Sequence, residues 1–134
     1  MMISSASLEE VWKMRKEVMY PEHTIDQVKL PDDERGDHFG LYEENKLISV
    51  VSVFIKNEEL QFRKFATRAK YQHKGYGTAL LQHVMQIAHR ARCKKVWCNS
   101  RTSANSFYEK FGMKAVGDTW QAEGHEFIKM EKQL

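Results

Sequence analysis

The chain has few of the residues that mark secreted, membrane-spanning or zinc-binding proteins. It has no apolar run long enough to cross a bilayer, and its first residues do not place a basic segment before an apolar one. We therefore expect a cytoplasmic protein. Its two cysteines, Cys93 and Cys98, form no C-x-x-C pair and have no histidine at zinc-ligand spacing. We expect both to be reduced structural thiols, and we expect no metal.

An excess of charge of one sign is also absent. The 21 Lys and Arg residues nearly balance the 18 Asp and Glu residues, the net charge is +3, and bases and acids are interspersed along the chain. Nucleic-acid binding is therefore unsupported. With 42% hydrophobic and 29% charged residues over 134 positions, the composition is that of a globular protein, and the length predicts a single domain over residues 1–134.

The most informative stretch, Arg68–Leu81, has the pattern strand, glycine turn, helix. Aromatic and β-favouring residues precede it from Leu60 to Thr67, and apolar residues at helical spacing follow Gly77. Gly75 and Gly77 therefore lie where a helix begins. The first N–H groups of a helix have no intrahelical partner, and glycine lets a phosphate approach them closely. The stretch predicts a site for a phosphate-bearing ligand.

The spacing of these glycines excludes two common phosphate loops. The third glycine position of a dinucleotide G-x-G-x-x-G motif holds Leu80, and no Walker G-x-x-x-x-G-K-[S/T] run occurs. The remaining pattern, Q-x-x-G-x-G at Gln72–Gly77, resembles the pyrophosphate loop of the GNAT-type N-acetyltransferases, although a plain tight turn is the usual interpretation of such a hexapeptide alone. A later segment, Asn99–Met113, resembles the second motif of that family, with an Ala, then Phe-Tyr-Glu-Lys, then Gly112.

The resemblance runs from about Phe39 to the C-terminus and implies both a fold and an activity. The implied fold is a single α/β (α+β) domain with a mixed, mostly antiparallel central sheet, a splayed parallel strand pair and helices on both faces. The implied activity transfers an acetyl group from acetyl-CoA, the co-substrate, to a primary amine by direct attack in a ternary complex. Backbone groups of Phe65, Ala66 and Thr67 would pair with the pantetheine arm. The remaining cofactor contacts would come from Gln72, His73, Lys74, Gly75, Tyr76, Gly77, Thr78 and Asn105.

Tyr108 is the catalytic candidate that the resemblance implies. A phenol with an ordinary pKa of about 10 is protonated at neutral pH, so it can donate to the departing coenzyme A thiolate. The alternative is packing, because Phe107, Tyr108 and Phe111 have the spacing of core residues on a short helix.

No general base is assigned. Several members of the resembled family place a glutamate where this chain has Gln61, which cannot usefully accept a proton. Glu59 is two residues earlier on the same strand, and His23, His38 and His125 are further candidates because histidine titrates near physiological pH. A water chain, or no dedicated base, is equally open.

Three functions are considered in order of preference. The first is an N-acetyltransferase that acts on a small-molecule or peptide amine. We expect neither nucleic acid nor membrane as its partner, and a homodimer is possible. The second is a non-catalytic acyl-CoA-binding sensor, which the glutamine at position 61 makes conceivable. The third is a small basic nucleic-acid-binding protein. The sequence does not identify the acceptor.

The remaining patterns predict the order of elements. We expect helices at residues 7–20 and 22–30, another after the glycine turn, and a short one that ends at Lys110 and is capped by Thr102 or Ser103. A capping box of Ser7 and Glu10 would begin the first helix. Strands are expected at residues 2–4, 38–43, 46–56, 60–67, 94–99, 115–121 and 125–131.

Two charged stretches need an explanation. The acidic stretch 31–37 is interpreted as a solvated connection, in preference to a surface that attracts a cationic amine. Arg63 and Lys64 lie within a predicted strand of the sheet. Because burying an unpaired cation is costly, at least one of them is expected to pair with an acid or to face a wet or ligand-filled groove.

Overall fold

The computed structural model describes residues 1–134, with seven strands and four α-helices. The strands are β1 (Met2–Ser5), β2 (Asp37–Glu43), β3 (Lys46–Lys56), β4 (Glu59–Thr67), β5 (Lys95–Arg101), β6 (Lys114–Ala122) and β7 (His125–Gln133). The helices are α1 (Leu8–Met14), α2 (Ile25–Val28), α3 (Tyr76–Arg90) and α4 (Asn105–Glu109). A π-helical turn covers Arg15–Met19, and 3-10 turns cover Asp33–Arg35, Ala69–Tyr71 and Thr102–Ala104. None of these helices has the length and apolar character that a membrane crossing requires.

All seven strands belong to one sheet, in the order β1-β2-β3-β4-β5-β7-β6. Strands β4 and β5 run parallel, whereas the pairs β1/β2, β2/β3, β5/β7 and β6/β7 are antiparallel. The predicted mixed, mostly antiparallel sheet is confirmed. The chain forms two compact units, an N-terminal unit of Met1–Phe54 and Phe62–Ile87, and a C-terminal unit of Ile55–Gln61 and Ala88–Leu134.

The N-terminal unit is built on β3, in which every residue from Ile48 to Val53 is buried. A strand buried on both faces has a nearly continuous apolar sequence, which is why this strand was predictable. The apolar cluster beside it comprises Ala6, Val11, Met14, Val50 and Ala66. The turn from β2 to β3 has two residues at positive φ, Glu44 (50°) and Asn45 (66°), as a tight hairpin of this length requires.

Helix α1 begins with the predicted capping box. The Ser7 hydroxyl accepts from the Glu10 N–H at 3.1 Å, and the Glu10 carboxylate accepts from the Ser7 N–H at 3.0 Å. The end of this helix is wider than expected, because the Tyr20 N–H donates to the Arg15 carbonyl five residues earlier, at 3.0 Å. The predicted span is confirmed, and its last turn is π-helical.

The C-terminal unit contains β5 paired with β7 along its whole length, and β6 at the sheet edge. The strands predicted at residues 115–121 and 125–131 are confirmed, and they pair antiparallel as β6 and β7. The parallel ladder of β4 and β5 is short, because it joins Glu59–Gln61 to Lys95–Trp97 and includes no later residue of β4. The two thiols, Cys93 and Cys98, are buried and free.

The predicted cap of the last helix is wrong. The chain makes a 3-10 turn over Thr102–Ala104 before α4 begins, so the N-cap position falls on Ala104, which has no side chain that could cap. The Thr102 hydroxyl instead donates to a Glu126 carboxylate oxygen at 3.0 Å. Gly112, with φ of 86°, follows the helix as expected.

The interpretation of the acidic stretch as a solvated connection is wrong at Asp33, whereas residues 31, 34, 35 and 37 are exposed as expected. Asp33 is only 2% exposed and accepts from both terminal nitrogens of Arg15, at 2.8 and 2.9 Å. It also accepts from the Trp12 indole N–H at 3.0 Å and from the Leu30 amide at 2.8 Å. This carboxylate therefore holds α1 and the chain after α2 together inside the N-terminal unit.

Candidate active site

The loop between β4 and α3 adopts the conformation that the glycine pattern predicts. After the 3-10 turn at Ala69–Tyr71, His73 and Gly75 both have left-handed backbones, with φ of 62° and 88°. The Gln72 side chain donates from Nε2 to the Thr67 carbonyl, five residues earlier, at 3.0 Å. The loop is therefore attached to the end of β4 by a hydrogen bond from the side chain of Gln72.

The start of α3 presents backbone donors that no protein group accepts. The first helical hydrogen bond runs from Ala79 N–H to the Gly75 carbonyl at 3.1 Å. The N–H groups of Gly75, Tyr76, Gly77 and Thr78 precede that bond and have no protein acceptor. Four donors without a protein acceptor at the positive end of a 15-residue helix form a suitable site for a phosphate.

Exposed basic side chains lie on this loop. Lys70, His73 and Lys74 are exposed, and neither lysine has a carboxylate within ion-pair distance. Arg68 is different, because its guanidinium pairs with Glu17 at 3.1 Å. The loop therefore carries local positive charge with which an anionic ligand can interact.

Successive backbone groups at the end of β4 face opposite edges of the strand. Ala66 and Arg68 are directed toward β3, because the Ala66 carbonyl accepts from the Ser49 hydroxyl at 2.9 Å and the Arg68 N–H donates to the Ile48 carbonyl at 3.0 Å. Since backbone groups alternate along a strand, those of Phe65 and Thr67 face the opposite edge. The ladder with β5 ends before these residues.

Tyr108 and Asn105 lie on α4, in the C-terminal unit. Burial raises the pKa of the half-buried Tyr108 phenol well above its ordinary value, and the neighbouring Cys98 raises it further. Burial also raises the pKa of the Cys98 thiol, to about 12. The Tyr108 phenol is therefore neutral across the physiological range. Asn105 accepts from the Ser100 hydroxyl at 3.0 Å, which fixes its side-chain oxygen.

Comparison with known proteins identifies the family. A family model described as an acetyltransferase (GNAT) domain matches residues 3–134. The chain belongs to the GNAT acetyltransferase family. It is an acyl-CoA-dependent acetyltransferase.

Relatives of this GNAT acetyltransferase include the uncharacterized N-acetyltransferase YitI of Bacillus subtilis (strain 168), which is 26% identical over 131 residues, 91% of this chain and 88% of that protein. The fold also resembles the ribosomal-protein-S18-alanine N-acetyltransferase of Escherichia coli, with a TM-score of 0.83 and 19% identity over 98% of this chain and 92% of the other. A GNAT family acetyltransferase from Elizabethkingia anophelis with acetyl-CoA bound has a TM-score of 0.77 and 17% identity over 99% and 97%.

Among the residues considered as a base in this GNAT chain, His38 has a structural role. It is 8% exposed, with Nδ1 at 2.7 Å from the Ser52 hydroxyl and Nε2 at 2.7 Å from the Asp33 carbonyl. A carbonyl only accepts, so Nε2 carries the proton. Glu59 lies 3.9 Å from Lys95. His23 and His125 are exposed, and Gln61 belongs to the short parallel ladder.

The two cations predicted to need partners have different contacts. Arg63 pairs with Asp32 at 2.9 Å and lies over the Phe54 ring, 4.2 Å from its centroid. Lys64 donates to the Tyr20 hydroxyl at 2.6 Å and has no carboxylate within ion-pair distance. The expectation of at least one acidic partner is confirmed at Arg63.

Sequence reasoning missed the polar groups that pair inside the N-terminal unit. Asp32 and Asp33 looked alike in one acidic stretch, and the partner of each is a distant basic residue. A signal was present for Arg15, because it continues the apolar stripe of Val11 and Met14 on the first helix. A charged residue on such a stripe indicates a buried partner elsewhere in the chain.

Proposed function

We propose that this GNAT acetyltransferase transfers the acetyl group of acetyl-CoA to a primary amine by direct attack in a ternary complex. The observation that supports the proposal most strongly is the set of unpaired N–H groups of residues 75–78 at the start of α3. They offer a diphosphate several donors together with the positive end of the helix dipole. The left-handed backbone of Gly75 directs the chain into this arrangement without a side chain in the way.

The pantetheine arm is proposed to extend β4 by main-chain hydrogen bonding. Of the three residues assigned to this role, Phe65 and Thr67 present their backbone groups to the edge away from β3. The Ala66 carbonyl already accepts from Ser49. The Thr67 carbonyl likewise accepts from Gln72 Nε2, so its N–H is the group left for the arm. We therefore assign the backbone contacts to Phe65 and to the Thr67 N–H, and a packing role to Ala66, which is buried in the apolar cluster.

The chemical step joins the amine to the acetyl carbon. The uncharged amine nitrogen attacks the thioester carbonyl, the new C–N bond forms, the C–S bond breaks, and the amine proton is lost to solvent. The sulfur leaves as a thiolate. Backbone N–H groups of β4 would stabilise the oxyanion that develops on the carbonyl oxygen.

Tyr108 is proposed to donate to the leaving sulfur. The raised pKa of the Tyr108 phenol keeps it protonated. The phenol is also a much weaker acid than a thiol, whose ordinary pKa is roughly 8.5. Hydrogen bonding to the thiolate is therefore favoured over complete proton transfer. Such a bond is strongest when the sulfur is charged, so it lowers the barrier more than it strengthens cofactor binding.

Replacing Tyr108 by phenylalanine tests this proposal. We expect Tyr108→Phe to reduce kcat about 100-fold, in the range for loss of a positioned proton donor, while the Kd for coenzyme A in calorimetry stays unchanged. Tyr42→Phe is the matched control, because it removes a phenol that donates to Glu10 at 2.9 Å. It should leave kcat unchanged.

Assaying the wild-type protein with acetyl-CoA and a panel of primary amines distinguishes the transferase from the non-catalytic sensor. Acetylated products identified by mass spectrometry support transfer, whereas saturable acetyl-CoA binding without any product supports the sensor function. Equal kcat values for wild type and Tyr108→Phe would assign Tyr108 to packing against Phe107, whose ring centroid lies 5.4 Å away. Absence of saturable coenzyme A binding would contradict the whole proposal.

A further inference from the structure

Lys64 is a cation whose charge the protein does not neutralise. Three cationic side chains lie on or just after β4, and two of them have a carboxylate, since Arg63 pairs with Asp32 and Arg68 pairs with Glu17. The Lys64 ammonium has only the neutral Tyr20 hydroxyl at 2.6 Å, with the ring centroid at 4.8 Å. Of these three side chains, only Lys64 has no carboxylate within ion-pair distance.

The surroundings of Lys64 favour a second, anionic partner. The side chain is half-buried, and a partly desolvated ammonium is stabilised by an anion far more than by a phenol. One hydrogen bond to Tyr20 uses one of its three N–H donors. Two donors are left for a ligand, and a single uncompensated charge matches one carboxylate better than a multiply charged phosphate.

The backbone at Lys64 is unusual for a strand. Its φ of 53° lies in the left-handed region, which a lysine adopts only when the surroundings impose it. This conformation interrupts the regular alternation of β4 and directs the side chain to Tyr20, just before the connection to α2. The adjoining His23 ring lies edge-on to Tyr20, with centroids 5.0 Å apart.

The position along β4 separates this charge from the cofactor phosphates. In the proposed function, the phosphates lie at residues 75–78 and the arm returns along Thr67 toward Phe65. Lys64 is the next residue beyond Phe65, about 10 Å from Thr67 at roughly 3.3 Å per residue. An anion bound at Lys64 therefore lies past the reactive end of the cofactor, where the acceptor enters.

We propose that Lys64, positioned by Tyr20, binds a carboxylate of the acceptor, so that the substrates are amino acids or similar small molecules carrying both an amine and a carboxylate. This inference rests on the proposed function, because it places the acceptor relative to the bound cofactor. Simple polyamines lack the anion and are poor substrates. The acidic stretch 31–37 does not offer an amine the carboxylates of Asp32 and Asp33, since both are paired with arginines.

Matched acceptor pairs test the assignment. Phenylalanine is compared with phenethylamine, leucine with isoamylamine, and lysine with cadaverine, by thiol release at saturating acetyl-CoA. We expect wild type to favour the carboxylate-bearing member at least tenfold in kcat/KM. Lys64→Gln should lose that preference because its KM for the carboxylate-bearing acceptors rises. Lys64→Arg should keep most of the preference. Lys13→Gln, which removes an exposed lysine of α1, should behave as wild type.

A binding measurement that needs no turnover accompanies the assay. N-acetylphenylalanine and N-acetylphenethylamine are titrated into the coenzyme A-saturated protein, and we expect only the first to bind, at least tenfold more weakly to Lys64→Gln. Thermal melts verify that each variant is folded. Lys64→Asn serves as a second variant, because asparagine tolerates the left-handed backbone.

The outcomes separate the two proposals. Acetylation of amines without a carboxylate preference, or a preference that persists in Lys64→Gln, overturns the carboxylate assignment and leaves acetyl transfer intact. Lys64-dependent binding of N-acetylphenylalanine without any turnover supports the carboxylate site and contradicts the transferase. A folded protein that shows neither turnover nor N-acetylphenylalanine binding contradicts both.

Discussion

Two sets of polar groups in the N-terminal unit differ in whether the protein satisfies them. The first set is buried, and Arg15 is its centre, with donors to both oxygens of Asp33, to the Val28 carbonyl and to the Ser52 hydroxyl at 2.8–3.0 Å. The second set is the row of N–H groups at residues 75–78, which have no protein acceptor. Only Arg15 Nε lacks a partner in the first set.

The difference assigns the two sets different roles. Buried polar groups that are hydrogen-bonded hold elements together, and removing one partner leaves the other exposed to the full desolvation cost. Polar groups without a partner at the surface cost little, because water satisfies them until a ligand arrives. Substitutions in the first set should therefore change stability, and substitutions in the second should change cofactor affinity.

The largest expected effect comes from Asp33→Asn. This change leaves the Arg15 cation buried without its anion, and breaking a buried pair from one side costs about 3–5 kcal/mol. Asp32→Asn is the matched control one residue earlier, where the partner is the part-exposed Arg63 and the expected cost is about 0–1 kcal/mol. Urea denaturation measures both, and similar costs would contradict the division into two sets.

The contrast between these neighbours shows where sequence reasoning reached its limit. The capping box of α1, the β2–β3 turn and the glycine loop were predictable because each depends on residues close together in the chain. The roles of Asp32 and Asp33 were not, because their partners are 31 and 18 residues away. Long-range pairing follows from the folded arrangement, and no local pattern encodes it.

The candidate site likewise has features that local sequence predicts and features that only the folded contacts show. The loop at Gln72–Gly77 was predictable because backbone donors need only glycine and a helix start. The assignment of Phe65 and Thr67 in preference to Ala66 required the contact of Ala66 with Ser49. The cap of α4 was likewise not predictable. A 3-10 turn at Thr102–Ala104 places the N-cap on Ala104, and the Thr102 hydroxyl, which could have capped the helix, donates to Glu126 instead.

The second largest effect is a dependence of stability on pH. Burial raises the pKa of Asp33, but hydrogen bonds from Arg15, Leu30 and Trp12 outweigh it and lower the pKa from 3.8 to about 2. A lowered folded-state pKa contributes stability above the unfolded value, and that stability is lost as pH falls from about 4 to 2. Since one pKa unit is about 1.4 kcal/mol, the loss is about 2 kcal/mol.

Urea denaturation between pH 5 and pH 2 measures this loss. The difference in unfolding free energy between wild type and Asp33→Asn should shrink by about 2 kcal/mol over that range. A constant difference between wild type and Asp33→Asn would show that this carboxyl does not titrate as its contacts predict.

A smaller effect separates stability from affinity at Gly75. A Cβ added there meets no atom within 4 Å, but φ of 88° makes alanine strained by about 1–2 kcal/mol. Gly117 in β6 has the same properties, with φ of 77° and open space around a Cβ. Both alanine variants should lose similar stability in thermal melts. Only Gly75→Ala should weaken coenzyme A binding, about tenfold, because its methyl group obstructs the phosphate approach; equal Kd changes would contradict the site.

The smallest effect is expected at Gln72, whose exposed side chain tethers the loop to the Thr67 carbonyl at 3.0 Å. An exposed hydrogen bond of this kind adds little to folding, so Gln72→Ala should change the unfolding free energy by less than about 0.5 kcal/mol. It should raise the Kd for coenzyme A about threefold, because an untethered loop must be ordered on binding. Gln121→Ala, at an exposed position of β6, is the control and should leave the Kd unchanged. An unchanged Kd in Gln72→Ala would remove this residue from the cofactor site and leave the work of phosphate binding to the backbone alone.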